Sequence, residues 1–82
     1  MSYDILPTEE FEKSFLKLDS NIRSRIKRKF EEIAENPERY KHMSPPMNDF
    51  CRIRVEKLRI LFSYDVQKQE LYPERIIFGH RY

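Results

Sequence analysis

The stretch CRIRVEKLRILF, residues 51–62, decides how this chain is read. Cys51, Ile53 and Val55 alternate with Arg52 and Arg54. After Glu56-Lys57 the alternation resumes, with Leu58, Ile60 and Phe62 set against Arg59 and Leu61. A period of two is the mark of a strand with one buried face. With Glu56-Lys57 as the tip of a hairpin, Val55 faces Leu58, Ile53 faces Ile60, and Arg54 lies opposite Arg59. Like charges directly opposed across a strand pair are destabilising. Three arginines on one side of a small sheet therefore need a reason.

Working back toward the N-terminus, Tyr3 and Ile5 alternate with Ser2 and Asp4 as a short strand. Thr8 is suited to cap a helix, with Glu9 and Glu10 in its first turn where the helix dipole favours carboxylates. Phe11, Phe15 and Leu18 mark one face of that helix, which the spacing carries to about Leu18. Asp19-Ser20 breaks it and starts a second, marked by Ile22, Ile26, Phe30 and Ile33 and stopped by Asn36-Pro37. So short a break predicts an antiparallel helix pair. Residues 38–48 read as a loop around Pro45-Pro46. Beyond the hairpin, a reversal near Gln67-Lys68-Gln69 leads into a last strand in ELYPERIIFGHRY, residues 70–82. Pro73 lacks an N–H and is expected at a sheet edge or a bulge. The expected fold is α+β: a strand, an antiparallel helix pair, then a three-stranded antiparallel meander with the helices on one face.

An 82-residue chain fits a single domain, residues 1–82, with a modest core. Six Phe and five Tyr can fill such a core, which argues against disorder although 37% of residues are charged. The lone cysteine, Cys51, excludes an internal disulfide and a multi-cysteine zinc site. It falls on the inward face as a small hydrophobe. No signal-peptide pattern or membrane-length apolar run is present, so a cytoplasmic location is expected. The formal net charge of +2 is uneven: residues 1–50 hold 9 Lys and Arg against 10 Asp and Glu, residues 51–82 hold 7 against 4. That permits a polyanionic partner without requiring one.

The meander places Arg52, Arg54 and Arg59 on the face away from the helices. Guanidinium groups present rigid donor forks that grip phosphate oxygens. They also serve simply to solubilise an exposed strand face. No acidic residue shares that face of the hairpin. In the segment GHRY, His80 beside Arg81 offers a proton-transfer group next to a cation. The basic run RSRIKRK on the second helix supplies Arg23, Lys27 and Arg28 as candidate RNA contacts, against the plainer reading of a solvated face. No Gly-rich phosphate loop and no metal-ligand spacing occur, and no cofactor is expected.

The segments RIRVEKLRILFSYD and IIFGHR, with FEKSFLKL and IAENPERY in the helices, resemble the RelE/ParE toxin superfamily of toxin–antitoxin pairs over nearly the whole chain. The resemblance implies one of two activities. The RelE branch consists of metal-independent, ribosome-dependent mRNA endonucleases; the ParE branch inhibits DNA gyrase. On the RelE reading, Arg52 and Arg54 match the basic residues of the second strand, Arg59 the arginine of the third, and Arg81 the arginine near the chain end. His80 sits where relatives carry His or Lys. Many relatives place a catalytic tyrosine a few residues further on, whereas here Tyr82 follows Arg81 directly. The residues expected to carry catalysis are therefore Arg52, Arg54, Arg59, Arg81, His80 and Tyr82. The implied partners are a RelB-like acidic antitoxin that folds on binding, and mRNA in the ribosomal A site. The alternatives are a gyrase inhibitor, or a non-catalytic RNA- or protein-binding domain of the same fold.

Overall fold

The structure, a computed structural model, describes residues 2–46 and 48–78. It contains β1 (Asp4–Ile5), α1 (Glu9–Phe15), α2 (Ser20–Glu35), a 3-10 turn (Pro37–Arg39), β2 (Cys51–Val55), β3 (Leu58–Asp65) and β4 (Glu70–Ile77). The four strands form one sheet in the order β1-β4-β3-β2. The α+β fold is the one expected from the periodicities, and the hairpin register is the expected one: Val55↔Leu58, Ile53↔Ile60 and Arg54↔Arg59. Glu56 takes φ 58° at the hairpin tip, the left-handed conformation that tight hairpin turns demand.

Both helix starts use the side-chain caps read from the sequence. Thr8 Oγ1 accepts from the Phe11 N–H at 3.1 Å, and Asp19 Oδ1 from the Ile22 N–H at 3.0 Å. Helix α1 is shorter than its apolar spacing implied. It closes at Phe15, where i→i−3 bonds from Lys17 and Leu18 tighten the exit and still leave Leu18 packed against the core. Pro37 opens a further 3-10 turn where a loop was expected. Phe11 meets Phe30 edge to face, and Phe30 meets Phe62 in the same way. Helices and sheet thus share one core, in which Ile26, Ile33, Cys51, Ile60, Phe62 and Leu71 are almost fully buried.

β1 pairs parallel with β4, so the last strand lies inside the sheet, with neighbours on both sides. Pro73 is therefore not at an edge. It sits beside a bulge, because Leu61 pairs with Arg75 while Phe62 pairs with Pro73, which leaves Glu74 as the extra residue. Thr8 fastens this irregularity. Its N–H donates to the Pro73 carbonyl at 3.0 Å and its hydroxyl to the Glu74 carbonyl at 2.8 Å. The same oxygen caps α1, so one threonine joins helix start to bulge. Thr8→Ala is expected to lower the unfolding free energy by about 1–2 kcal/mol in urea titrations, with Thr8→Ser recovering most of the loss.

Candidate nucleic-acid interface

The sheet face away from the core is ordered in rows by strand register. One row is Arg54–Arg59–Ile77, and the next is Arg52–Leu61–Arg75. Ser63 and Tyr72 follow, then Asp65 and Glu70, with Asp4 beside Glu70 on β1. Successive rows on one face are about 7 Å apart, so roughly 20 Å separates the arginine end from the carboxylate end. The face is thus electrically polarised. Positive charge stands at the hairpin-tip end and negative charge at the other, a feature that a net charge of +2 conceals.

Arg52 and Arg54 are exposed, and neither makes an ion pair among the described residues. Arg59 is half-buried and holds an interaction of its own. The carboxylates nearest this end are committed elsewhere. Glu56 at the hairpin tip pairs with Arg25 of α2, and Glu10 pairs with Arg75 at 2.9 Å. Glu74 Oε2 accepts from the Ser63 hydroxyl at 2.6 Å. At the acidic end Tyr72 donates to Glu70, and that hydrogen bond, with desolvation, pushes the Tyr72 hydroxyl up to about 12.

The basic run of α2 does not act as a unit. Arg25, Arg28 and Lys29 line a groove with Arg54 and Glu56 at the β2 edge, whereas Arg23 and Lys27 line a separate depression with Phe15 and Ser20. A helix turns about 100° per residue, so Arg23 and Lys27 share a side that Arg28 leaves. Of the three candidate helix contacts, only Arg28 joins the arginine face. His80, Arg81 and Tyr82 lie outside the described residues.

His42 was given no role from the sequence, and its neighbours explain what it does. Its Nδ1 lies 2.9 Å from the Asn48 carbonyl, which can only accept, so Nδ1 carries the proton. Nε2 then accepts from the Tyr64 hydroxyl at 3.2 Å. With the His42↔Cys51 bridge and the Met43 N–H to Phe50 carbonyl bond, this holds His42 and Met43 against the start of β2. On the β2 side of the sheet the open edge is shortened to the remainder of β2, where Arg52 and Arg54 discourage edge-to-edge pairing. Burial pushes the Cys51 thiol up, in keeping with a packing role. No group of three or more His, Cys, Asp or Glu among the described residues has metal-binding geometry. No described helix is long and apolar enough to cross a membrane.

A helix pair covering one face of a four-stranded sheet, with arginines gathered at one end of the other, defines a small α+β domain with a cationic patch on its open face. The family described as "ParE toxin of type II toxin-antitoxin system, parDE" matches residues 5–77. The chain belongs to this family of toxins, within the RelE/ParE superfamily. It is 34% identical over 67 residues to a putative toxin RelE4 of Methanocaldococcus jannaschii, covering 77% of this chain and 71% of that one. Among solved structures it resembles the isolated Escherichia coli RelE toxin, with TM-score 0.82, 24% identity, and coverage of 99% of this chain and 88% of that one. It also resembles a chain of the Mycobacterium tuberculosis RelBE2 toxin–antitoxin complex, with TM-score 0.85, 17% identity, and coverage of 96% and 100%.

The register makes a stability prediction. Arg54→Leu removes a cross-strand repulsion from a side chain with no ion pair among the described residues. It is expected to be neutral or to stabilise the free protein by up to about 1 kcal/mol in urea melts. A clear loss of stability would show that Arg54 is held by a favourable partner.

Proposed function

We propose that this toxin is a ribosome-dependent mRNA endonuclease that needs no metal. One observation carries the proposal: Arg52, Arg54 and Arg59 share the open face of one hairpin, with Arg54 and Arg59 directly opposed and no carboxylate on that face between residues 51 and 62. Selection for stability alone disfavours such an arrangement, whereas a bound phosphate relieves it. In the reaction, a ribose 2′-oxygen attacks the adjacent phosphorus, its proton passes to a base, and the bond to the 5′-oxygen breaks as that oxygen is protonated. The products are a cyclic phosphate and a free 5′-hydroxyl. The phosphorane-like state between them carries more negative charge than the ground state, and cations held in place by a sheet stabilise it preferentially.

In this scheme Arg59 and Arg81 act on the phosphate oxygens, while Arg52 and Arg54 position the strand and spread the charge. A guanidinium stays protonated and makes a poor base. Proton transfer therefore falls to His80, with Tyr82 as the second candidate. A site so short of conventional bases depends on a larger surface to align the 2′-oxygen with the scissile bond, which is the part assigned to the ribosome. Arg28, in its groove beside Arg54, extends the cationic path for the RNA backbone; Arg23 and Lys27 lie off that path.

Arg59→Ala and Arg81→Ala are each expected to lower cleavage by about 10²–10³-fold while leaving the circular dichroism spectrum unchanged. Primer extension on translated mRNA measures this. Full cleavage in both folded variants would exclude the assignment. The matching family is described by ParE, which favours a second reading, inhibition of DNA gyrase. A supercoiling assay run beside primer extension separates the two activities.

The toxin is further proposed to be restrained by an acidic, RelB-like antitoxin. Solved relatives include RelE–RelB complexes from Escherichia coli and Pyrococcus horikoshii. The cationic face offers such a partner charge complementarity, and the segment that covers it is expected to order on binding. Co-purification with the product of the neighbouring gene should give a complex that weakens as salt is raised. A chain that purifies alone and is harmless when expressed without that neighbour would remove the toxin–antitoxin reading for this protein.

A further inference from the structure

The register of the sheet continues past the outer edge of β2. His42 bridges Cys51 in antiparallel fashion, and the Met43 N–H donates to the Phe50 carbonyl at 2.8 Å. Counting outward from that bridge sets Lys41 opposite Arg52. Side chains alternate along extended backbone, so the faces follow. Cys51 is fully buried on the core side, and His42 joins it there against the Tyr64 ring. Lys41 therefore stands on the open side with Arg52, at the head of the row that runs on through Leu61 and Arg75. The two cations share a concavity of about 530 Å³, which His42, Met43 and Ser44 help to line. Lys41 is exposed and makes no ion pair among the described residues.

We infer that Lys41 holds the RNA phosphate next to the one at the Arg54–Arg59 pair, and that His42 is the residue that positions it. The inference rests on the endonuclease reading above and adds a second footing to that site. Position is the first argument. Arg52 stands one row, about 7 Å, along the strand from Arg54, and Lys41 one strand, about 5 Å, further out. Neighbouring phosphates of an extended RNA strand span such a step. Charge is the second argument. Opposed cations repel until an anion comes between them. Lys41 and Arg52 repeat at the edge of the sheet the opposition that Arg54 and Arg59 make within it. An ammonium is a compact charge with no preferred donor plane, which suits a phosphate held for position rather than for reaction. Support is the third argument. A single bridge is a weak hold on a cation, and His42 strengthens it from the core side. Its Nδ1 is fastened to the Asn48 carbonyl and its Nε2 to the Tyr64 hydroxyl of β3. The side chain after Lys41 thus anchors the backbone from which Lys41 reaches out.

Fluorescence anisotropy across a salt series, on a short RNA blocked against cleavage by 2′-O-methyl groups, tests both parts. Lys41→Met is expected to lower the slope of log affinity against log salt by about 0.7, the share of one phosphate on a single strand. Lys41→Arg should leave the slope near that of the wild type. Lys68→Met, in the turn at the carboxylate end, removes the same charge from another place and should not change it. A neutral methylphosphonate walked along the RNA should find one linkage that matters to the wild type and no longer matters to Lys41→Met. His42→Phe keeps a ring beside Tyr64 and loses both hydrogen bonds, while Tyr64→Phe removes only the hydroxyl that donates to His42. Each is expected to lower the slope, and to lower it no further when combined with Lys41→Met. Circular dichroism confirms that the variants compared are folded. A slope that Arg59→Ala lowers, but that Lys41→Met leaves where Lys68→Met does, overturns the second footing and leaves the arginine site standing. Losses from His42→Phe and Tyr64→Phe that persist in the Lys41→Met background overturn the positioning role. Absence of any RNA binding overturns both the footing and the endonuclease reading.

Discussion

The last strand of this protein must pair on both sides while carrying a proline, and the rest of the structure is arranged around that constraint. Pro73 has no N–H to give to the ladder. The bulge at Glu74 takes up the irregularity, and Thr8 closes it by donating to the carbonyls of Pro73 and Glu74. Because the same hydroxyl oxygen caps α1, the position of the first helix is tied to the defect in the sheet. The helix then brings Glu10 to Arg75, so a backbone repair at the core side determines which charges stand on the open side.

That open side shows how a nearly neutral protein concentrates positive charge on one part of its surface. Arginines collect at the hairpin tip, and carboxylates gather across the far ends of β1, β3 and β4. Each group resists its own crowding, and each is held by a strand register that the core dictates. Sliding any strand by one residue would turn Ile53, Ile60 or Phe62 outward and bury the arginines. Hydrophobic burial therefore supplies the energy that holds like charges together. Among the described residues the ion pairs are Arg25 with Glu56, Lys29 with Glu32 and Arg75 with Glu10, and none of them involves Arg52 or Arg54.

Much of this could be read in the residues. Alternation across 51–62 determined both the hairpin register and which side faces the helices, because side-chain direction in a strand follows from counting alone. Thr8 and Asp19 announced the helix starts through local capping chemistry. What failed to show was everything that depends on distant partners. Nothing in Tyr3-Asp4-Ile5 names β4 as its neighbour, so the interior place of Pro73 was hidden. The basic run on α2 reads as one patch in sequence, yet helical geometry divides it between two sides. His42 gave no signal, since its partners Asn48 and Tyr64 are brought to it only by the fold. Glu74 and Arg75 would alternate faces in an unbroken strand; only the bulge puts both on the open one.

The parallel pairing of β1 with β4 also bears on how such a protein comes into being. Asp4 has to meet Glu70, so the N-terminal strand waits through most of translation for the segment that completes its sheet. Until β4 has left the ribosome, the hairpin lacks its neighbour, α1 lacks the carbonyls that anchor Thr8, and the arginine face has no rigid backing. Long-range pairings of this kind are slow to form, because the chain must first close a large loop. An incomplete chain would thus carry the cations without the geometry that aims them. The arginine face would take its shape only once the last strand has joined the sheet.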